Sequence, residues 1–167
     1  MSPDLLFNMW DDNDIILSGS YQVATNKEVR RGYPLKESGS LGGGGNRPPN
    51  TIYRQVEEYT DTNSLEPCIG LSERQIPKNT GTLAEALRNI EFRGFNRDVD
   101  IVQFGVRKCI NKDPDETTMN TGAKLAPYPG GFRKWATGMA ELGTVKQGPI
   151  AYNKDGYIAV KIEYTQS

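Results

Sequence analysis

The segment from residue 26 to 50, NKEVRRGYPLKESGSLGGGGNRPPN, constrains the fold more than any other part of the chain. It has few apolar residues, a run of four glycines that begins at Gly42, and a Pro48–Pro49 pair. Glycine has more backbone entropy to lose on folding than other residues, and proline lacks the N–H that regular structure needs. The pattern therefore predicts a long loop or an extended arm. Loops of this length inside a compact domain tend to be functional or disordered.

The composition predicts one domain with extended parts. A chain of 167 residues is the size of a single domain. It contains 18 glycines and 10 prolines, above average usage, and only 36% hydrophobic residues. We expect residues 1–50 to form an N-terminal strand, within 14–24, followed by the Gly/Pro-rich arm. Residues 51–167 should then form a core that ends in a β-hairpin.

Three further segments carry strand patterns. The first, residues 51–60, fits a helix or a strand, and its Thr, Ile, Tyr and Val content favours a strand. The second, residues 98–110, predicts a central strand. Its expected faces hold Val102, Phe104, Val106 and Ile110 on one side, and Gln103, Gly105, Arg107 and Cys109 on the other.

The third strand pattern lies at the carboxyl end. A turn over Asn153 to Gly156 separates two β-prone runs. The alternation that follows predicts that Ile158, Val160 and Ile162 point into a core.

Two segments predict short helices. Thr82 and Glu85 form a capping box that begins a helix over about 83–91. Apolar residues at helical spacing predict a second helix over about 130–142; they are Phe132, Trp135, Ala136, Met139 and Leu142. The predicted fold class is therefore α+β, a mainly antiparallel β-sheet with these two helices and long loops or arms.

Charge and targeting signals limit the partners. Twenty basic and 21 acidic residues give a net charge of −1, so the chain lacks the attraction to phosphate backbones that nucleic-acid binders use. Direct nucleic-acid binding is not expected. The sequence has neither a signal peptide pattern nor an apolar run long enough to span a bilayer. We expect no membrane partner, and synthesis in the cytoplasm followed by incorporation into an assembly.

The absence of histidine removes several enzyme classes together. Without it the chain has no Ser-His-Asp or Cys-His nucleophile and no imidazole zinc ligand. The glycines from Gly42 are not followed by the Lys-Ser/Thr of a phosphate-binding loop, and Asp11, Asp12 and Asp14 lack the spacing of a calcium loop. Cys68 and Cys109 are too few for a disulfide framework, although one bridge between them stays open. We predict a non-enzymatic protein with no catalytic, cofactor-binding or metal-binding residue; a small carboxylate-dependent enzyme is the third alternative.

The leading interpretation is a structural subunit of a large assembly, and the assembly that we expect is a virus or phage virion with this chain as a capsid or tail protein. Its partners would be copies of itself and other subunits of the assembly. The candidate inter-subunit contacts lie in the arm: Arg30 and Arg31 could bind a neighbour's carboxylates, and Tyr33, Leu35 and Leu41 could anchor the segment.

Residues 104–145 carry a resemblance to a known family. FGVRKCI, then NTGAKLAPYPGGFRKW and Gly143, resemble the small linker domain of phycobilisomes over about a quarter of the chain. In that family a strand, a loop, a KL-x-PY element, an FR-bearing helix and a glycine-led strand follow in order. The resemblance implies that Cys109 and the element from Lys124 to Tyr128 lie in the linker core. It also implies that the amino-terminal half threads through a ring of antenna subunits, which makes a phycobilisome linker the runner-up function.

Overall fold

The computed structural model describes residues 15–24, 27–43, 52–78 and 98–162. These residues form nine strands and, within those ranges, no helix. The strands are β1 (Ile15–Val23), β2 (Pro34–Gly43), β3 (Ile52–Glu58), β4 (Gly70–Ser72), β5 (Asp98–Ile110), β6 (Lys124–Tyr128), β7 (Gly131–Lys134), β8 (Gly143–Gln147) and β9 (Asp155–Lys161). Since the described ranges hold no helix, none of their segments could cross a lipid bilayer as one.

The first five strands close into a barrel. β1 pairs in parallel with β3, and the remaining pairs, β3–β2, β2–β4, β4–β5 and β5–β1, are antiparallel. Closure leaves the barrel without a free edge along these pairings. Aliphatic and aromatic side chains fill a buried cluster, the barrel core: Tyr21, Val23, Val29, Leu35, Val56, Ile69, Ile76, Val99 and Ile101.

The last four strands extend the same nine-stranded sheet on the other half of β5, and we call this extension the second sheet. β9 pairs antiparallel with β5 and β8, and β6 pairs antiparallel with β8 and β7. A parallel bridge between Asn111 and Phe132 returns β7 to the end of β5. Gly131 permits this approach, because a Cβ there would overlap the carbonyl oxygen of Ile110. The sheet encloses a second core: Tyr59, Cys68, Leu71, Val102, Cys109, Met119, Leu125, Phe132, Leu142, Val145, Ile150, Ile158 and Val160.

β5 is the central strand that its sequence predicts, but its two faces are not the predicted ones. Ile101 packs in the barrel core and the adjacent Val102 in the second core, whereas Phe104 is 41% exposed. At Phe104 the strand passes from the barrel to the pairing with β9, and Gly105 follows with φ +136°. A single alternation therefore cannot describe a strand whose two faces pack in different cores along its first half.

The predicted α+β fold class is wrong, because the described residues are all-β. Residues predicted as a helix over 130–142 instead form β7 and the turns that follow it. Phe132 is fully buried, but Trp135 is half-buried and donates its Nε1–H to the carbonyl oxygen of Met139 at 2.9 Å. Pairing of β7 with β6 buries Phe132 as well as a helix would. The spacing of the apolar residues therefore did not distinguish a helix from a strand. The helix predicted over about 83–91 lies outside the described residues.

The predicted carboxyl-terminal strand is confirmed. Ile158 and Val160 are buried, and Ile162 packs against the second core. The turn comes slightly earlier than predicted, with Asn153 at φ +61°, because β9 already begins at Asp155. β9 lies between β5 and β8, so its hairpin with β8 is not a free edge.

The predicted arm is partly a strand. Pro34–Gly43 forms β2, which pairs with β3 and β4 inside the barrel. Strands on both sides of residue 50 thus share one barrel, and the strand interpretation of residues 51–60 is confirmed by β3. Residues 44–50 lie outside the described residues.

Burial of Phe132 gives a stability prediction. Replacing Phe132 with Ala should lower the free energy of unfolding by about 3 to 5 kcal/mol, because the cavity lies in a closed core. The matched control is Phe104→Ala, at a ring that is 41% exposed, for which we expect a loss below ~1 kcal/mol. Urea unfolding of both variants measures the difference. Equal losses would contradict the assignment of Phe132 to the second core.

Candidate functional site

The turn that leads into β2 holds three of the predicted contact residues, Arg30, Arg31 and Tyr33. The Tyr33 N–H donates to the Arg30 carbonyl oxygen at 3.2 Å, and the Gly32 N–H donates to the Ser72 carbonyl oxygen at 2.8 Å. Gly32 has φ +82°, and a Cβ there would lie 3.2 Å from the Lys108 carbonyl oxygen. The turn is therefore fixed directly against β5.

Arg30 is engaged within its own chain. Its guanidinium donates to both carboxylate oxygens of Glu58, with donor–acceptor distances of 2.9 to 3.2 Å. The same group lies 4.2 Å from the centroid of the Tyr33 ring. The hydrogen bond to Glu58 raises the pKa of Arg30 above its usual value. Arg30 is therefore already paired with Glu58, and its role is to hold the Tyr33 ring in position.

Arg31 lines a groove between the turn and the second sheet. The groove has a volume of about 320 Å³, and ten described residues line it: Arg31, Gly32, Tyr33, Lys108, Cys109, Ile110, Gly130, Asn153, Lys154 and Asp155. We call it the cationic groove. Arg31 and Lys154 are exposed, and neither forms an ion pair with any described residue.

The charges of the cationic groove do not balance. Lys108 Nζ lies 3.4 Å from the Asp155 carboxylate, and both side chains are more than half exposed. Among the described residues, Asp155 is the one carboxylate of the lining, against the three cations Arg31, Lys108 and Lys154. A guanidinium and an ammonium without partners suit an anion, and a carboxylate is the anion that proteins most often present to them.

The thiol in the groove wall is unreactive. Cys109 is 3% exposed and its Sγ lies 3.5 Å from the Gly32 carbonyl oxygen. Burial raises the pKa of Cys109 to about 12, and the pKa of Cys68 likewise to about 12. Both thiols are free and lie in the second core. Among the described residues, no group of three or more acidic or thiol side chains could hold a metal ion.

The remaining predicted contact residues lie elsewhere. Leu35 is fully buried in the barrel core, so its side chain anchors β2 on its own domain. Leu41 lies on β2 opposite Arg54 of β3. The structure brings Arg31 and Tyr33 together with Lys108, Lys154 and Asp155, which sequence reasoning missed. No local pattern could have linked them, because more than a hundred residues separate the turn from Lys154.

A second exposed feature is the loop between β3 and β4. The Asp61 carboxylate accepts the backbone N–H groups of Asn63, Leu65 and Glu66. Partial burial opposes ionisation of Asp61, but these three donors outweigh it and lower its pKa. The loop holds the Leu65 side chain 62% exposed. Because the three hydrogen bonds to Asp61 hold the loop in one conformation, Leu65 is an exposed apolar side chain at a defined position.

Ser64 ties this loop to the second sheet. Its side chain is fully buried, and its Oγ donates to the Pro127 carbonyl oxygen at 2.7 Å. The Ala140 N–H donates to the Ser64 carbonyl oxygen at 2.7 Å. Ser64 adopts φ +59°, an uncommon conformation for a residue with a side chain. These bonds compensate for that conformation and join the barrel to the second sheet.

No model of a known protein family matches the chain, and no curated protein is significantly similar to it.

The buried thiols predict a pH dependence. Unfolded thiols ionise near the usual pKa of 9.0, whereas Cys68 and Cys109 stay protonated in the folded chain up to about pH 12. Their contribution to stability is therefore complete below pH 9 and is lost as the pH rises towards 12. Unfolding by urea across this range should show a steeper decline than in a Cys68→Ala, Cys109→Ala variant. Equal slopes would contradict the raised pKa values, as would rapid reaction of the native thiols with a thiol reagent at pH 8.

The carboxylate of Asp61 predicts the opposite trend at low pH. Because its folded pKa lies below the usual 3.8, its stabilising effect is present above that value and disappears as the pH falls through the folded pKa. Asp61→Asn should lower the melting temperature at pH 7, and the difference from the parent should shrink in acid. Asp115→Asn, at an exposed acid, is the control and should leave the melting temperature nearly unchanged. A difference that persists at pH 2 would assign the effect to shape and not to charge.

Proposed function

We propose that this protein is a non-enzymatic structural subunit of a large assembly, and that the assembly is a virion in which it serves as a capsid or tail protein. The observation that carries the proposal is the cationic groove. Its Arg31 and Lys154 have no ion-pair partner among the described residues, and its thiol is protonated. This chemistry suits the binding of a neighbour's acidic group.

A rigid platform supports a binding role. The barrel core and the second core both pack on β5, and the groove lies beside the second half of that strand. A backbone held by closely paired strands and fixed turns loses little conformational entropy on binding. Copies of the chain and other subunits of the same assembly would be the partners, without a membrane or nucleic acid among them.

The enzyme alternative requires a different groove. Carboxylate-dependent hydrolases place two acids about 5 to 10 Å apart, one as acid and one as base or nucleophile. Among the described residues, Asp155 is the only acid that lines the cationic groove, and Lys108 Nζ lies 3.4 Å from its carboxylate. This lining therefore lacks the second acid that such a reaction requires.

The sequence that follows β2 supports a virion assembly. The glycine run begins within β2 at Gly42 and continues beyond the described end of the strand at Gly43, and the Pro48–Pro49 pair follows it in the sequence. Repeated β subunits of capsids and tails commonly join compact bodies by such segments, which bury little apolar area on their own. The chain would be made in the cytoplasm and incorporated there.

Native particle size and hydrogen exchange test the proposal. In the particle isolated from the native source, we expect many copies of the chain by sedimentation and electron microscopy. The amides of Gly32 and Asn153 should exchange more slowly there than in the isolated chain, while the buried Ile158 amide should be protected in both. A monomer at all concentrations with unchanged exchange would overturn the proposal. Bilin absorption of the particle would instead select the phycobilisome linker.

A further inference from the structure

We propose that the cationic groove binds an extended acidic segment of a neighbouring subunit, with Arg31 and Lys154 as the residues that hold its carboxylates. The inference deepens the proposed function and depends on it for the identity of the partner. The groove itself, however, can be tested on the isolated chain.

Both cations are held on backbone that is already ordered. On the Arg31 side, the Gly32 N–H donates to the Ser72 carbonyl oxygen at 2.8 Å. On the Lys154 side, the Asn111 N–H donates to the Lys154 carbonyl oxygen at 2.9 Å, and the Asn153 N–H donates to the Asn111 carbonyl oxygen at 2.7 Å. A ligand therefore meets two preformed turns and has to order only the ends of two side chains.

Tyr33 adds an aromatic surface beside the cations. Its ring is partly buried and is covered on one face by the guanidinium of Arg30, which Glu58 holds in place. An extended peptide can lay its backbone or an apolar side chain against such a ring while its carboxylates reach the cations. An aromatic ring beside two cations therefore suits a peptide better than a free inorganic anion.

The distribution of charge in the groove suits a peptide. Arg31 and Lys154 lie on two separate turns and Asp155 lies in the same lining, so a ligand that contacts both cations must carry its negative charges at separate points. Binding to a nucleic acid requires a basic track along several phosphates. Three cations against one carboxylate around 320 Å³ provide a site for one or two acidic side chains instead.

The isolated full-length chain tests the site by NMR. The probe is an oligo-aspartate peptide, and an oligo-asparagine peptide of equal length is its neutral control. We expect oligo-aspartate, and not oligo-asparagine, to shift the amide signals of Gly32, Gly130 and Asn153. Because exposed ion pairs each contribute modestly to affinity, Arg31→Gln with Lys154→Gln should weaken binding about five- to tenfold. Added salt should weaken the parent in the same direction.

A matched variant controls for net charge. Lys146→Gln with Lys161→Gln removes the same charge at two exposed lysines that do not line the groove, and should leave the affinity within twofold. The inference is overturned if oligo-aspartate shifts none of these amides, or if both double variants weaken binding equally. It is also overturned if inorganic phosphate or single-stranded oligothymidylate binds the groove as tightly as oligo-aspartate. If the chain is monomeric in its native source but oligo-aspartate still binds the groove, the proposed assembly is refuted. The binding site is then retained.

Discussion

The whole structure depends on β5, because one strand belongs to both hydrophobic cores. Ile101 and Val102 are neighbours in sequence, yet one packs in the barrel and the other in the second core. Neither core can lose this strand without exposing the apolar side chains of the other. The free energy of the two cores is therefore coupled, and we expect the body to unfold as one cooperative unit in place of two domains.

The cationic groove follows from the same arrangement. The turn at Gly32 lies against the Lys108 carbonyl oxygen, and the turn at Asn153 is bonded to Asn111 just beyond the end of β5. Two distant parts of the chain become neighbours because each meets the second half of this strand. The buried Ser64 reinforces the junction from the other side through Pro127 and Ala140. The binding geometry is thus a consequence of how the two cores are joined.

Strands that pack on one core along their whole length were predictable from sequence. Elements whose burial or neighbouring strands change along their length were not. Alternation identified β9 and the position of β5, since burial of one face leaves a period of two. It failed for the faces of β5, where Phe104 becomes exposed as the neighbours change. The spacing around Trp135 fitted a helix because a short strand and two turns buried Phe132 and Leu142 equally well. The arm interpretation missed β2, whose Leu35 is buried by strands distant in sequence. Arg31 was identifiable as a surface cation, but its groove partners come from the far end of the chain.

The shared strand also defines a path for mechanical load. A pulling force applied at the groove would be transmitted to β5 at two points. One is the contact of Gly32 with the strand, and the other is the hydrogen bonding of Asn111 just beyond its end. From there it spreads into the antiparallel ladders that join β5 to β1, β4 and β9. Ladders pulled along their strands share force among many hydrogen bonds at once, whereas ladders peeled from an end break one bond at a time. A force applied to the chain at this point would therefore be resisted by both hydrophobic cores together.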